Sequence, residues 1–419
     1  ASASPADVII ALAAVAVGVG VATWPIAGRT AEQWAPDALR HGAALGRRAR
    51  RRTNPFADIR LIEVDAASPG SGPGTGGVGV LHDRSQRTFT AVLGASDPGF
   101  VLLGEDDKVR RVSAWSGVLA SLAREGSAVH RLQWVERVVG VDAAPGPVRS
   151  GADGPVASYD ALVAAEAHGA PRHEVLLAVT IHAGRAARAV KAGGGGESGA
   201  CAVLLRDIAA LRRRLTDVNI EVGAVLWPAA LATVVRGSYD TGAVPIGTTW
   251  PWPMGVAPQW SCLRADATWH ATYWVSEWPR TDVGPDFLGP VLLSSDVRRT
   301  MSVVMEPVGP VEASRKVEQA RTADIADAEL RRRGGFLGTA RRRREEEILA
   351  RREVELADGH AHYRFSGYVT VSAADPEALE EDCGRVEQAA GRAGLELRRC
   401  YGDQVNAFMC TLPLGRGLS

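Results

Sequence analysis

The order in which strand-like and helix-like segments follow one another limits the folds open to this chain. Apolar runs and period-2 alternation predict strands at residues 59–64, 78–81, 88–93, 129–139, 173–181 and 220–225. A 3.6-residue apolar period predicts helices at residues 109–124 and 200–215, with a short helix from Pro228. Strand, helix and strand repeated in this order are typical of ferredoxin-like α+β packing rather than of a parallel nucleotide-binding sheet.

The second half of the chain repeats this pattern and adds a long polar helix. Strands are predicted at residues 268–278, 300–306, 365–371, 395–399 and 407–412, and a helix at 376–393. Residues 310–356 predict a long helix, interrupted at Gly334 and Gly335, whose exposed face pairs arginines with glutamates four residues apart. Such pairing lets a polar helix project from the core. Residues 362–370 are similar in sequence to residues 173–180, and a predicted helix follows each segment, which indicates an internal duplication.

A run of twenty residues without a charged side chain, residues 8–27, predicts a membrane helix. At about 1.5 Å per residue it spans roughly 30 Å, the thickness of one hydrocarbon core. Trp24 would lie at the interface, and the basic residues that follow would keep the rest of the chain in the cytoplasm: Arg47, Arg48, Arg50, Arg51 and Arg52. A cleaved signal peptide is the alternative, but no basic residue precedes the run. The basic cluster is also a candidate for binding nucleic acid or anionic lipid. Because the chain has no initiator Met, an upstream membrane helix stays an open alternative.

The sequence thus predicts an α+β protein in which a membrane helix precedes two ferredoxin-like α+β modules, the second with a long projecting helix. The predicted boundaries are 1–28 for the transmembrane helix, 29–55 for a basic juxtamembrane segment, 56–240 for the first module, 241–267 for a Pro/Trp-rich joint, and 268–419 for the second module. The predicted location is the inner, cytoplasmic membrane, with the bulk of the chain in the cytoplasm.

Charge and cysteine content exclude some classes of function. Lysine plus arginine and aspartate plus glutamate each number 48, and this zero net charge argues against a globally basic nucleic-acid binder. The Trp-rich strand at 268–278 is an alternative stacking platform for single-stranded DNA, but aromatic side chains on a strand more often belong to a core. Five cysteines without a C-x-x-C pair favour a reducing compartment over a disulfide framework.

No catalytic, cofactor or metal site is predicted. The chain has no G-x-x-x-x-G-K-[ST] phosphate loop, so we do not expect it to hydrolyse ATP by itself. It has no G-x-S-x-G elbow either. His360 and His362 lie near Asp358, but no further ligands follow at metal-binding spacing. Cys383, Cys400 and Cys410 are predicted as small core or strand residues rather than a thiol site, and the chain is predicted not to be an enzyme.

Two resemblances suggest a setting for the protein. The closing segment, residues 401–415, reads Tyr-Gly-x-Gln-x-x-Ala-Phe-x-x-x-Leu-Pro-Leu-Gly and resembles the end of the N-terminal module of TraC-like conjugation ATPases. Four other segments resemble an actinobacterial membrane-protein family that is encoded beside type IV secretion-like conjugation ATPases. They are Ala27-Gly-Arg-Thr-x-Glu-x-Trp34, Trp269-His-Ala-Thr-Tyr-Trp-Val-Ser-Glu-Trp-Pro279, Val283-Gly-Pro-Asp-Phe-Leu288 and Ala340-Arg-Arg-Arg-Arg-Glu345.

These resemblances imply a membrane-anchored scaffold of a type IV secretion-like apparatus on which a separate P-loop ATPase docks. They also imply other membrane subunits, membrane lipids and a homo- or hetero-oligomer as partners, with no direct binding of nucleic acid. The predicted partner-binding residues are Arg343, Arg344, Tyr401, Gln404, Phe408, Leu412 and Pro413. The alternatives are an EccE-like membrane component of type VII secretion and a membrane enzyme of unknown activity. Neighbouring genes would separate the two secretion hypotheses, and an activity abolished by one substitution would support the enzyme.

Overall fold

We describe the protein from a computed structural model. The structure describes residues 55–65, 77–96, 103–124, 126–139, 172–240, 251–293, 297–309 and 361–418, with single positions at 42, 100, 312, 313, 315 and 319. Within these ranges the secondary structure agrees with most of the predicted strands and helices, although several elements are a few residues longer than predicted.

The described residues before position 250 form six strands and four helices. In chain order they are β1 (Ile59–Val64), β2 (Val78–Asp83), β3 (Thr88–Ser96), α1 (Glu105–Leu122), β4 (Val129–Val139), β5 (Arg172–His182), α2 (Ala187–Ala192), α3 (Gly196–Asp217), β6 (Glu221–Val225) and α4 (Pro228–Gly237). Helix α4 begins with Pro228 in its first turn, where the missing N–H of proline has no intrahelical acceptor to lose.

The described residues after position 250 form six more strands and three more helices. They are β7 (Val256–Pro258), β8 (Leu263–Ala265), β9 (Thr268–Glu277), α5 (Gly289–Leu292), β10 (Arg299–Val308), β11 (His362–Ala373), α6 (Pro376–Arg392), β12 (Glu396–Arg399) and α7 (Gln404–Met409). Helix α6 is capped by Asp375, whose Oδ1 accepts the backbone N–H of Ala378 at 2.9 Å. Strands β7 and β8 lie inside the segment predicted as a joint.

All twelve described strands belong to one antiparallel sheet. Its order is β1-β2-β3-β5-β4-β10-β11-β9-β8-β7, and β6 pairs with β3 while β12 pairs with β9. The two halves meet at the centre, where β4 and β10 pair in register from Thr300 opposite Arg137 to Met305 opposite Leu132. Strands β4 and β10 would each be an edge strand in an isolated half, and an unpaired edge readily accepts another strand.

The two halves repeat one topology. In the first half the order across the sheet is β6-β3-β5-β4, and in the second it is β12-β9-β11-β10, so each strand has a counterpart in the other half. Helices α4 and α7 follow the corresponding strands β6 and β12. The duplication predicted from residues 173–180 and 362–370 is confirmed in this strand order, because those residues lie in the counterpart strands β5 and β11.

The predicted fold class, a membrane helix followed by two ferredoxin-like modules with a long projecting helix, is wrong. The pairing of β4 with β10 joins both halves into one continuous sheet, so the described chain does not consist of two separate modules. Among the described residues, no helix combines the length and the apolar character needed to cross a membrane. The predicted span at residues 8–27 and most of the predicted helix at 310–356 lie outside the described residues.

The two faces of the sheet carry different layers. Alternate residues of β5 show this division: Val179 and Ile181 pack with α3, whereas Leu176 and Ala178 pack with α4, α7 and the residues that follow α7. In the second half α6 covers the same face as α3, with Leu379 and Val386 against Ala271 and Val369. We call the opposite face, which carries α4 and α7, the closing face.

Candidate functional site

The closing segment, which we define as residues 401–418, lies across the closing face and contacts both halves of the sheet. Its residues 407–412 were predicted as a strand, but the structure forms the short helix α7 there and continues without regular secondary structure. A short apolar run cannot be assigned to a helix or a strand by periodicity alone. Here burial decides, because Val405, Phe408 and Met409 of α7 pack into the core of the closing face.

A row of polar side chains holds the closing segment. Each of the six central strands contributes one of them, namely Thr90, Thr180, Gln133, Ser302, Thr370 and Thr272. The row repeats between the halves: Thr90 Oγ1 lies 2.8 Å from Thr180 Oγ1, and Thr272 Oγ1 lies 2.8 Å from Thr370 Oγ1. Since these side chains are buried, their hydrogen bonds offset the cost of removing them from water.

Gln133 is the centre of this polar row. Its Nε2 donates to Ser302 Oγ at 2.8 Å and to the carbonyl oxygens of Cys410 and Leu412, each at 2.9 Å. Its Oε1 accepts the backbone N–H of Gly415 at 2.7 Å. One buried side chain of the first half therefore bonds a strand of the second half and three residues of the closing segment.

Gly415 has to be a glycine where the closing segment crosses β5. Its φ is +67°, and a Cβ there would lie 2.2 Å from Thr180 Oγ1. Arg131 fixes the backbone beyond this crossing, because its Nη1 donates to Gly415 O at 3.0 Å and its Nη2 to Leu418 O at 2.7 Å. Tyr368 donates to Gly417 O at 2.9 Å.

Beside the closing segment lies a cleft of about 420 Å³, which we call the arginine cleft. Its charged lining comprises four arginines and one acid: Arg131, Arg398, Arg399, Arg416 and Asp403. The aromatic lining comprises Trp274, Tyr368 and Tyr401. A cleft of this size is within the range of ligand-binding pockets, and its lining carries more guanidinium than carboxylate groups.

The arginines of this cleft differ in how firmly they are held. Arg399 is mostly buried and forms a bidentate pair with Glu380, at 2.7 and 2.8 Å. Arg416 pairs with buried Asp83, with its Nε 2.7 Å from Oδ2. Arg398 instead pairs with Glu396 at 3.2 Å across an exposed surface, where such a pair contributes little. Its guanidinium is therefore the one in this set that most easily changes partner.

The fourth arginine belongs to a buried charge cluster at Glu306. Glu306 Oε2 accepts Arg131 Nε at 3.2 Å, and Oε1 accepts Arg185 Nη1 at 3.0 Å and Arg364 Nη2 at 2.7 Å. Burial acts to raise the pKa of Glu306, but the hydrogen bond from Arg364 and the neighbouring positive charges outweigh it and lower that pKa. For nearby His130, burial and the charge of Arg131 lower the pKa to about 4. Three guanidinium groups around one carboxylate leave this edge of the cleft positively charged.

His270 is a buried neutral histidine on the closing face. Its Nδ1 lies 2.8 Å from Ser372 Oγ and its Nε2 lies 3.2 Å from Tyr239 O, and its side chain is fully buried. Burial is the main reason that its pKa falls from 6.5 to about 3. The folded chain thus keeps this imidazole uncharged where the unfolded chain would protonate it.

We expect His270 to make the protein less stable in mild acid. Because its pKa is lower in the folded state, its contribution is complete above pH 6.5 and is lost progressively as the pH falls towards 3. Between about pH 7 and about pH 5 the loss should be about 2 kcal/mol. Urea unfolding of His270→Gln should show a pH dependence smaller by that amount. Gln388→Leu, at an exposed position of α6, does not change a titrating group and should keep the wild-type pH dependence. An unchanged slope in His270→Gln would contradict this assignment.

The structure places the predicted partner-binding residues in two environments. Gln404, Phe408, Leu412 and Pro413 are buried in the chain's own core, whereas Tyr401 is half-buried and lines the arginine cleft. Gln404 bonds the backbone of Thr272 from both ends of its amide, at 2.8 and 3.2 Å. These residues serve the fold, and their binding of a partner stays a prediction. Arg343, Arg344 and the predicted membrane anchors Trp24, Arg47, Arg48, Arg50, Arg51 and Arg52 lie outside the described residues.

The remaining candidates from the sequence are the cysteines, the potential metal ligands and the Trp-rich strand. Burial raises the pKa of the Cys201 and Cys383 thiols to about 11 and that of Cys410 to about 12, so none is an activated thiolate. Within the described ranges no group of His, Cys, Asp and Glu is arranged to hold a metal ion. Two residues of the Trp-rich strand lie on the closing face. Thr272 is buried in the polar row, and Trp274 is 38% exposed and lines the arginine cleft.

Sequence reasoning missed the residues that build the cleft and its anchor. Arg131 and Gln133 alternate on β4 with apolar Leu132 and Trp134, a pattern that indicates a strand with one polar face. That the polar face is buried could not be read from it. Arg398 and Arg416 carried no local signal, because they reach the cleft only after β12 and the closing segment have packed.

Part of the chain matches a known protein family. Residues 170–275 match the family described as "Putative type VII ESX secretion system translocon, EccE". The matched residues run from the start of β5 into β9 and so include the middle of the described fold. No curated protein matches the chain. The match does not extend to type IV conjugation proteins or TraC-like ATPases, so that part of the resemblance finds no support here. Over residues 170–275 the chain is similar to a component of a secretion system.

Proposed function

We propose that this protein is a non-catalytic subunit of a type VII-like secretion apparatus that binds other subunits of the complex. The observation that carries the proposal is the EccE match over residues 170–275. It favours the alternative drawn from the sequence over the type IV conjugation hypothesis. In this proposal the chain works at the cytoplasmic membrane and a separate P-loop ATPase supplies the energy.

The surroundings of the buried ionisable groups support a structural role. Glu136 is engaged by Arg299 and by His173, whose Nδ1 lies 2.7 Å from Glu136 Oε1. Glu306 is engaged by three arginines, and the buried thiols have raised pKa values. The two carboxylates are engaged by partners within the sheet, and the sequence carries no phosphate-loop motif.

Isolation of the tagged chain from its own host tests the proposal. After mild crosslinking, we expect subunits of a type VII secretion complex, including its ATPase, to co-purify with the chain. Recovery of a conjugation ATPase and a relaxase would instead support the type IV hypothesis. Recovery of the chain without any secretion subunit would overturn the proposal, and so would an enzymatic activity that a single substitution abolishes.

A further inference from the structure

The repeated topology provides an internal comparison for the arginine cleft. Thr90 pairs with Thr180 in the first half as Thr272 pairs with Thr370 in the second. Two residues further along the same strands and on the same face, the first half pairs Val92 with Ala178. The second half pairs Trp274 with Tyr368 at the counterpart positions. The fold therefore accepts two small apolar side chains where the second half carries two large aromatic ones.

The first half also covers its small pair completely. Val92 and Ala178 are both 0% exposed and belong to the core under α4. Trp274 and Tyr368 instead line an open cleft, and Trp274 is 38% exposed with its Nε1 donating to Ser366 Oγ at 3.1 Å. Tyr368 holds the closing segment through its hydrogen bond to Gly417 O, so Trp274 is the aromatic of this pair that the closing segment does not account for. Trp is enriched at protein interfaces relative to the rest of the surface.

A second position also differs between the two halves, with an apolar residue in the first half and a charged one in the second. In the first half the backbone N–H of Leu226 donates to Val92 O at 2.9 Å, and the Leu226 side chain packs on the core. The counterpart neighbour of Trp274 in the second half is Arg398, which is exposed. Where the first half has an apolar side chain packed on the core, the second half has an exposed guanidinium beside an aromatic ring. Arginine and tryptophan are the residues most enriched at the centres of protein interfaces.

The charge of the cleft indicates the chemistry of its partner. Two arginines of its lining, Arg399 and Arg416, are neutralised by Glu380 and Asp83, so the exposed Arg398 and the arginines around Glu306 supply the available charge. Arg398 holds Glu396 through an exposed pair that a better-placed carboxylate can replace at little cost. Nearby Arg185 and Arg364 are 63% and 44% exposed and share Glu306 with Arg131. A ligand with several carboxylates would match these donors, and an apolar or aromatic side chain would match Trp274.

We propose that the arginine cleft binds an acidic segment of a partner protein, with carboxylates on Arg398 and an aromatic or apolar side chain against Trp274. This inference rests on the proposed function for the identity of the partner, a subunit or cargo of the secretion complex. The binding chemistry itself follows from the cleft and can be tested on the purified chain.

The direct test measures binding of a defined peptide to the purified 419-residue chain by fluorescence anisotropy. The probe is a fluorescein-labelled octapeptide of glutamate, aspartate and phenylalanine, and a matched peptide has lysine at each acidic position. We expect the acidic peptide to bind and the basic one not to bind. Arg398→Glu should weaken binding by at least about tenfold, because it reverses a charge that faces carboxylates. Trp274→Val, which installs the residue found at the counterpart position, should weaken it by about fivefold.

A matched charge reversal on the other face is the control. Arg206→Glu on α3 alters an arginine that is 57% exposed and paired with Asp207, so it should leave peptide binding unchanged. No binding of the acidic probe up to about 1 mM, or equal binding by the wild type, Arg398→Glu and Trp274→Val, would overturn the proposal. Displacement of the probe by a single-stranded oligothymidylate, but not by excess unlabelled peptide, would also overturn it in favour of nucleic acid.

Co-purification separates this inference from the proposed function. If secretion subunits co-purify with the wild type and equally with Arg398→Glu, the proposed function stands and the cleft is not their binding site. If the acidic peptide binds as expected but no secretion subunit co-purifies, the cleft chemistry stands and the proposed function fails. Loss of one or more subunits from Arg398→Glu, but not from Arg206→Glu, supports both.

Discussion

Replacing Arg299 with methionine is expected to lower the free energy of unfolding by about 3–5 kcal/mol. Arg299 of β10 is fully buried and forms an ion pair with Glu136 of β4, which is 4% exposed. It also donates to Leu292 O. Removing the guanidinium leaves the Glu136 carboxylate buried, with the His173 imidazole 2.7 Å from its Oε1 in place of a permanent positive charge. An uncompensated buried charge costs far more than the intact pair contributes.

Urea unfolding of Arg299→Met and two related variants checks this expectation. Arg280→Met is the matched control, because Arg280 is 72% exposed and pairs with a partly exposed Glu277, and it should stay within about 0.5 kcal/mol of the wild type. Adding Glu136→Leu to Arg299→Met should restore much of the lost stability, since no buried charge remains. If the double variant is no more stable than Arg299→Met, the loss of stability comes from packing and not from the unpaired buried carboxylate.

Gln133→Leu is expected to destabilise the protein by about 2–3 kcal/mol. Leucine has a similar size but makes none of the four hydrogen bonds of the amide. Ser302 Oγ still donates to Cys410 O at 2.9 Å, so that carbonyl keeps a partner. Leu412 O and the backbone N–H of Gly415 lose the bonds that Gln133 makes to them. Leu412 O still accepts the backbone N–H of Leu414 at 2.7 Å, so the Gly415 N–H is the group left without its partner. A buried polar group without a partner costs about 1–3 kcal/mol, and the lost bonds of the amide add to this cost.

The same variant should also loosen the closing segment before the sheet unfolds. Hydrogen exchange measured by mass spectrometry should show faster exchange in residues 410–418 of Gln133→Leu than in the wild type, with β5 little changed. Gln388→Leu, at an exposed position of α6, makes the same chemical change without a buried network and serves as the control. Uniformly faster exchange across the sheet would show that Gln133 stabilises the whole fold rather than this segment.

The sequence by itself determined most of the secondary structure. Strand β4 alternates polar and apolar residues, β5 contains a continuous apolar run at residues 175–179, and helix α6 has an N-terminal aspartate cap followed by proline. These signals are local, because strand and helix propensity depend on neighbouring residues. The sequence similarity between residues 173–180 and 362–370 was likewise visible without the structure, and it located the counterpart strands β5 and β11.

Only the tertiary structure decided how the halves are joined and where a binding surface lies. The pairing of β4 with β10 and the Arg299–Glu136 pair connect residues more than 160 positions apart, and no local pattern encodes such contacts. The closing segment reads as apolar, so its sequence could not show whether its side chains fill a core or face a partner. The arginine cleft combines residues of β4, β9, β11, β12 and the closing segment, which meet only when the sheet is complete. Its chemistry is therefore a product of long-range packing, which sequence periodicity does not record.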